Sequence, residues 1–129
     1  MAKWFHQDVF DNGLNDIVSN ANVLHVVSTY SAGDNYATVV GNSVTNYALA
    51  GGDKVLAAHN TTGRKVTIAA KSGNNATAST SGTPDLHFVL VDTVNSKVVA
   101  ATDETSDQPI TAGNPVSTPA FEFQFVQPV

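Results

Sequence analysis

The stretch Leu86-His87-Phe88-Val89-Leu90-Val91 decides the architecture. It is apolar on both faces that an extended chain presents, which marks a central strand buried on two sides. Residues 92–96 turn the chain, and residues 97–101 return as the second arm of a hairpin. Further on, Phe121-Glu122-Phe123-Gln124-Phe125 alternates strictly, so its three rings share one face of a strand. A fully covered phenylalanine contributes about 1.5–3 kcal/mol. Residues 86–91 and 121–125 are therefore expected to form the buried centre of one sandwich.

Composition points the same way. The chain has 129 residues, enough for one domain and too few for two comfortable cores. Valine occurs 18 times and leucine 6 times. That bias favours sheet over helix, because a branched β-carbon suits a pleated surface. Fourteen threonines and twelve asparagines fit strands and turns. The many short segments separated by turns predict an all-β fold, a single β-sandwich or jelly-roll-like domain with a short N-terminal helix.

Residues 1–22 form the exception as an N-terminal segment, with residues 23–129 as the β-sandwich of the same domain. Asp8 can cap a helix, and Phe10, Leu14, Ile17 and Ala21 fall on one face. Gly13 weakens that helix by about 1 kcal/mol relative to alanine. Residues 23–28 read as the first long strand, followed by a polar loop over 29–36. Residues 38–40 and 44–48 read as short strands around Gly41-Asn42, 54–58 as a weak strand and 65–70 as a better one. Residues 71–84 are low in bulk, fitting either a flexible excursion or a flat strand with Ala76 and Ala78 facing inward.

Charge and cysteine usage narrow the function. The net charge is −5 and charged residues make up 13% of the chain, with the basic residues Arg64, Lys65 and Lys71 close together. Nucleic-acid binding is disfavoured, since neutralised phosphates supply much of such affinity. The absence of cysteine removes disulfides and thiolate metal sites. No run is long and apolar enough to cross a membrane, and residues 1–6 lack the h-region of a signal peptide. Synthesis in the cytoplasm is expected.

The candidate chemistry is thin. His25 sits between Val23 and Val27 on one strand face and His87 shares a face with Val89 and Val91, each expected as a partly buried histidine bonded to a backbone group. His6 with Asp8 and Asp11 offers metal-binding side chains, but nothing fixes three ligands on one rigid element. No metal or cofactor is expected. Asp103, Glu104 and Asp107 lie in one polar loop, unlike the opposed carboxyls of a glycosidase. Gly41-Asn42-Ser43-Val44-Thr45 has threonine where a nucleophile elbow needs its second glycine. Gly51-Gly52-Asp53-Lys54 lacks the spacing of a phosphate loop. An enzyme is not expected. Aromatic residues are the better pointers: Trp4 and Phe5 precede the helix outside any core periodicity, and Tyr30, Tyr36 and Tyr47 flank or follow the polar loop. Tryptophan and tyrosine anchor interfaces because they join apolar area to a polar tip. The tyrosines fit equally well as packing over the ends of their own sandwich.

One resemblance extends this reading. Gly63-Arg64-Lys65-Val66-Thr67, Ser81-Gly82-Thr83 and the run from Leu86 to Asp92 are similar to segments of a recurring family of small tailed-phage virion proteins. So are Ser96-Lys97-Val98-Val99, the run from Gln108 to Val116, and Pro119-Ala120-Phe121-Glu122-Phe123. The chain thus resembles capsid cement or decoration subunits. The resemblance implies a subunit on the outer capsid surface of the virion that binds and stabilises the major capsid protein. It also implies self-association as a homodimer or homotrimer, and no catalysis. The alternative is a carbohydrate-binding or adhesin module of a tail or fibre, with a shallow site built from Tyr30, Asp34 and Tyr36.

Overall fold

The computed structural model describes residues 3–128. In chain order its elements are α1 (Gln7–Asn20), β1 (Val23–Val27), α2 (Tyr36–Gly41), β2 (Ser43–Ala48), β3 (Lys54–Ala58), β4 (Arg64–Ile68), β5 (His87–Asp92), β6 (Lys97–Asp103) and β7 (Phe121–Phe125). The strands make two antiparallel sheets, one ordered β2-β1-β5-β6 and the other β3-β4-β7. The result is a small all-β sandwich with a short N-terminal helix, as composition and turn spacing predict.

Strand β5 occupies the centre, as its two-sided apolarity requires. It lies between β1 and β6, and every residue from Phe88 to Asp92 is buried. Phe88 and Leu90 join Leu24 and Val26 of β1, Leu14 and Ile17 of α1, and Val66 and Ile68 of β4 in the main core. Val89 and Val91 turn the other way and pack with Val27 under Val39 of α2, flanked by Tyr30 and Tyr36. A four-stranded sheet covered on both faces explains why the run lacks polar alternation. The β5–β6 hairpin is fixed by Asp92, whose Oδ1 accepts from the backbone N–H groups of Val94 and Asn95. Those bonds and the Asn95 side-chain amide hold the Asp92 carboxyl below its usual range, the amide having the largest effect.

Helix α1 buries Phe10, Leu14 and Ile17, as their spacing predicts, and shares the main core with the strands. Its cap differs from the expected Asp8. The N-cap is His6, whose Nδ1 accepts from the Asp8 N–H, while Asp8 adds negative charge to the first turn. At the other end the buried Lys54 donates from Nζ to the Ala21 carbonyl, placing a cation where the helix dipole favours one. Gly13 has a packing reason: a β-carbon there would lie 2.7 Å from Cε2 of Phe125.

Two expectations need correction, and one open alternative is decided. Residues 38–40 are helical, not extended. Asn35 caps the segment by accepting from the Thr38 N–H, and Val39 gains full burial on the outer face of the large sheet, which outweighs the strand preference of Thr-Val-Val. The run 121–125 is a strand with the expected alternation, but it is not a buried centre. β7 is an edge strand, so Phe121 and Phe123 are half-buried against the core and Phe125 is 44% exposed. Residues 71–84 form no continuous strand. They are tied by single bridges, Lys71 to Thr118 and Asn75 to Pro115, with Ala76 buried and Ala78 half-buried.

Candidate interaction surface

Trp4 and Phe5 come to lie beside the end of β7. A single side chain makes the join: the Gln127 amide accepts from the Phe5 N–H at 3.0 Å and donates to the Phe5 carbonyl at 2.8 Å. This pairs an extended backbone segment as a neighbouring strand would. Phe5 packs edge-on to Phe10, and Phe10 packs against Phe125, with ring centroids 5.9 and 6.1 Å apart. Around this buried ring the outer members stay open: Trp4 is 69% exposed, and Phe5, Phe125 and Val126 are each near half. The polar boundary is the Arg64–Asp11 pair, with 2.7 Å from Nε to Oδ1. Sequence reading finds Trp4 and Phe5 but misses Phe125 and Val126, because alternation assigns Phe125 to the core.

The three tyrosines separate. Tyr30 and Tyr36 pack partly over the outer face of the large sheet, and their exposed sides line a groove of about 440 Å³ with Gly33, Asp34, Asn35 and the first residues of β6. Tyr30, Asp34 and Tyr36 are thus brought together, as a shallow binding site requires. Tyr47 is not an interface residue. It is 4% exposed, its hydroxyl bonds the Val116 carbonyl, and it accepts from the Asn74 N–H at 3.1 Å. It ties β2 to two irregular segments, a task that a loop-side position in the sequence does not reveal.

The other candidates are occupied locally. Asp11 is held by Arg64, so the His6, Asp8 and Asp11 grouping is divided. In the acidic loop, Asp107 accepts from the Leu86 N–H and Glu104 from the Ser106 N–H. His25 bonds a side chain, not the expected backbone group: its Nδ1 lies 2.8 Å from Ser43 Oγ. The Ser43 hydroxyl donates its proton to the Thr45 carbonyl, so the imidazole N–H donates to Ser43. That polarity is opposite to activation of a serine nucleophile. Burial pushes the His25 pKa down. Asp53 is also lowered, first by its hydrogen bond from Lys71 and next by the Ala50 N–H.

One grouping escapes any reading by sequence spacing. His87 lies opposite Asp103 in the β5–β6 register, and Asp85 lies two residues before it, ahead of the strand. One ring nitrogen and one oxygen of each carboxylate lie within 4.8 Å of one another. The expected backbone bond of His87 is present, from Nδ1 to the Asp85 carbonyl at 3.1 Å. Tyr30 packs against the ring at 5.5 Å. The pairing register is the signal that would have found the trio.

Comparisons of the chain with protein-family models, with curated proteins and with solved structures find no match.

Proposed function

We propose that the protein is a structural virion subunit, a capsid cement or decoration protein that binds and stabilises the major capsid protein lattice of a tailed phage. The observation that carries this reading is the open aromatic surface of Trp4, Phe5, Phe125 and Val126. It is held rigid by the Gln127 clasp at one end of a covered sandwich. The segment resemblance supplies the partner. A cement subunit needs a stiff scaffold and an apolar anchor, and the aromatic residues that most often dominate binding energy are the ones left open here. Repetition on a lattice lets each contact stay modest, since many copies act together. Self-association as a homodimer or homotrimer adds further valency. In this reading the protein acts on the outer capsid surface, without catalysis and without nucleic-acid or membrane partners.

The test is binding to purified heads that lack the subunit. Wild-type protein is expected to decorate them in hundreds of copies and to raise their resistance to heat. The double variant Trp4→Ala/Phe5→Ala is expected to keep its circular dichroism spectrum and to lose at least about tenfold in affinity, as loss of hot-spot aromatics implies. A handful of copies at one vertex, or unaltered binding by the variant, would refute the assignment.

A second reading has its own observation. The groove that unites Tyr30, Asp34 and Tyr36 suits a carbohydrate-binding or adhesin module of a tail or fibre. Saturable glycan binding abolished by Tyr36→Ala would establish that reading in place of cement as the complete account.

A further inference from the structure

We propose that Asp85, His87 and Asp103 form a binding site for a divalent transition-metal ion, with His87 Nε2 and the two carboxylates as ligands. This inference does not rest on the capsid reading.

The donor chemistry is defined by the hydrogen bonding of the imidazole. The Asp85 carbonyl can only accept, so the 3.1 Å contact places the ring proton on Nδ1. In the neutral ring the lone pair is then on Nε2. A backbone carbonyl on one ring nitrogen is the usual device that orients a histidine to present the other to a metal. Nε2 faces Asp103 Oδ1 at 3.7 Å. In the neutral ring two acceptors oppose each other at that distance, an arrangement that either a proton on Nε2 or a bound cation relieves. Atoms sharing one zinc at about 2.0–2.1 Å stand about 3–3.4 Å apart, so a few tenths of an ångström of side-chain movement forms the pair. The Asp85 carboxylate stands nearer the other side of the ring, with Oδ1 3.9 Å from Nδ1, and its exposed side chain completes the set by turning toward Nε2.

Local charge supports the same assignment independently. Neither the Asp85 nor the Asp103 carboxylate accepts a hydrogen bond from any described residue, and no lysine or arginine pairs with either among the described residues. By contrast Asp11, Asp16, Asp53 and Glu122 each face an arginine or lysine. The platform is stiff where stiffness matters. His87 opens the central strand with its side chain only 15% exposed, packed against Tyr30, and Asp103 is its direct cross-strand partner. An imidazole with two carboxylates suits zinc, cobalt, nickel or manganese better than calcium or magnesium, which prefer all-oxygen shells. Bound there, the ion would fasten the end of the edge strand β6 to β5 and to the turn before it.

The experiment is isothermal titration of the whole protein with zinc, then with manganese and calcium, alongside thermal unfolding. Zinc is expected to bind one to one, to raise the melting temperature, and to shift the His87 ring nitrogens in NMR spectra. His87→Gln and Asp103→Asn are each expected to weaken zinc binding at least about tenfold, as loss of a ligand or its support typically does. His6→Gln and His59→Gln should leave it unchanged. Asp103→Asn alters an exposed side chain without changing its size, so it retains the test if His87→Gln fails to fold. Absence of zinc binding up to about 1 mM, the weak limit of specific affinity, would overturn the proposal. So would wild-type binding by Asp103→Asn, or transfer of the loss to His6→Gln or His59→Gln.

Discussion

Gly63 and Tyr47 set the sharpest constraints on single positions. Gly63 has φ +85° and sits so close to the end of β7 that a β-carbon would lie 1.9 Å from the Phe125 carbonyl oxygen. Both the backbone angle and the space demand glycine, and the obstacle is main chain, which cannot swing aside. Gly63→Ala is expected to destabilise the protein by about 2–4 kcal/mol, read as a lowered urea midpoint at constant slope. The buried Tyr47 side chain brings its hydroxyl to the Val116 carbonyl and the Asn74 N–H in a partly buried site. Removing it leaves both unpaired, so Tyr47→Phe is expected to cost about 1–3 kcal/mol in the same measurement. Neither role is written in the local sequence. A glycine in a turn and a tyrosine near a loop look ordinary until distant segments are placed beside them.

Among elements, legibility follows from how much each depends on its neighbours. Residues 86–91 announce β5 because burial on two faces leaves no polar position in the run after His87, and α1 is announced by the spacing of Phe10, Leu14 and Ile17. Residues 36–41 are not announced: three β-branched residues favour a strand, and only the Asn35 cap and the niche for Val39 make them helical. The strand β7 is legible, but its place at a sheet edge is not, because alternation fixes which residues share a face and not how far that face is covered. The difference is measurable. Leu90→Ala in the central strand is expected to cost about 3–5 kcal/mol, and Phe123→Ala, though it removes more atoms, about 1–2 kcal/mol, because part of its ring already meets water at the sheet edge. Comparable losses from the two variants would contradict the edge placement. The candidate site divides the same way. Trp4 and Phe5 stand out by breaking periodicity, whereas Phe125 joins them only through strand pairing, and the Asp85, His87 and Asp103 trio exists only once β6 folds back on β5.

At the scale of the whole molecule, acidity is the natural probe of how the core is held. The unfolded chain protonates His25 near its ordinary value of 6.5, while burial keeps the folded form neutral to lower pH. Between those two values the unfolded state binds the extra proton, so stability is full above 6.5 and falls as the pH drops below it. Urea unfolding at pH 7.5 and at pH 5.5 should show this loss, and His25→Gln should reduce it; an equal loss in the variant would assign the effect elsewhere. Asp53 acts at lower pH with the same sign. Its carboxylate is favoured in the folded state by Lys71, so its contribution is present above the ordinary carboxylate value of 3.8 and disappears as the pH falls through the depressed one.

The Gln127 clasp on Phe5 also bears on chain connectivity. It brings residues 122 positions apart into direct contact, so a short flexible linker can join the two ends of the described chain. Opening the chain instead at the exposed β5–β6 turn, where Val94 is 84% exposed, would leave both sheets paired as they are. Such a circular permutant would display its new ends on the far side of a hairpin. A label or cargo could then be attached there without crowding Trp4 and Phe5.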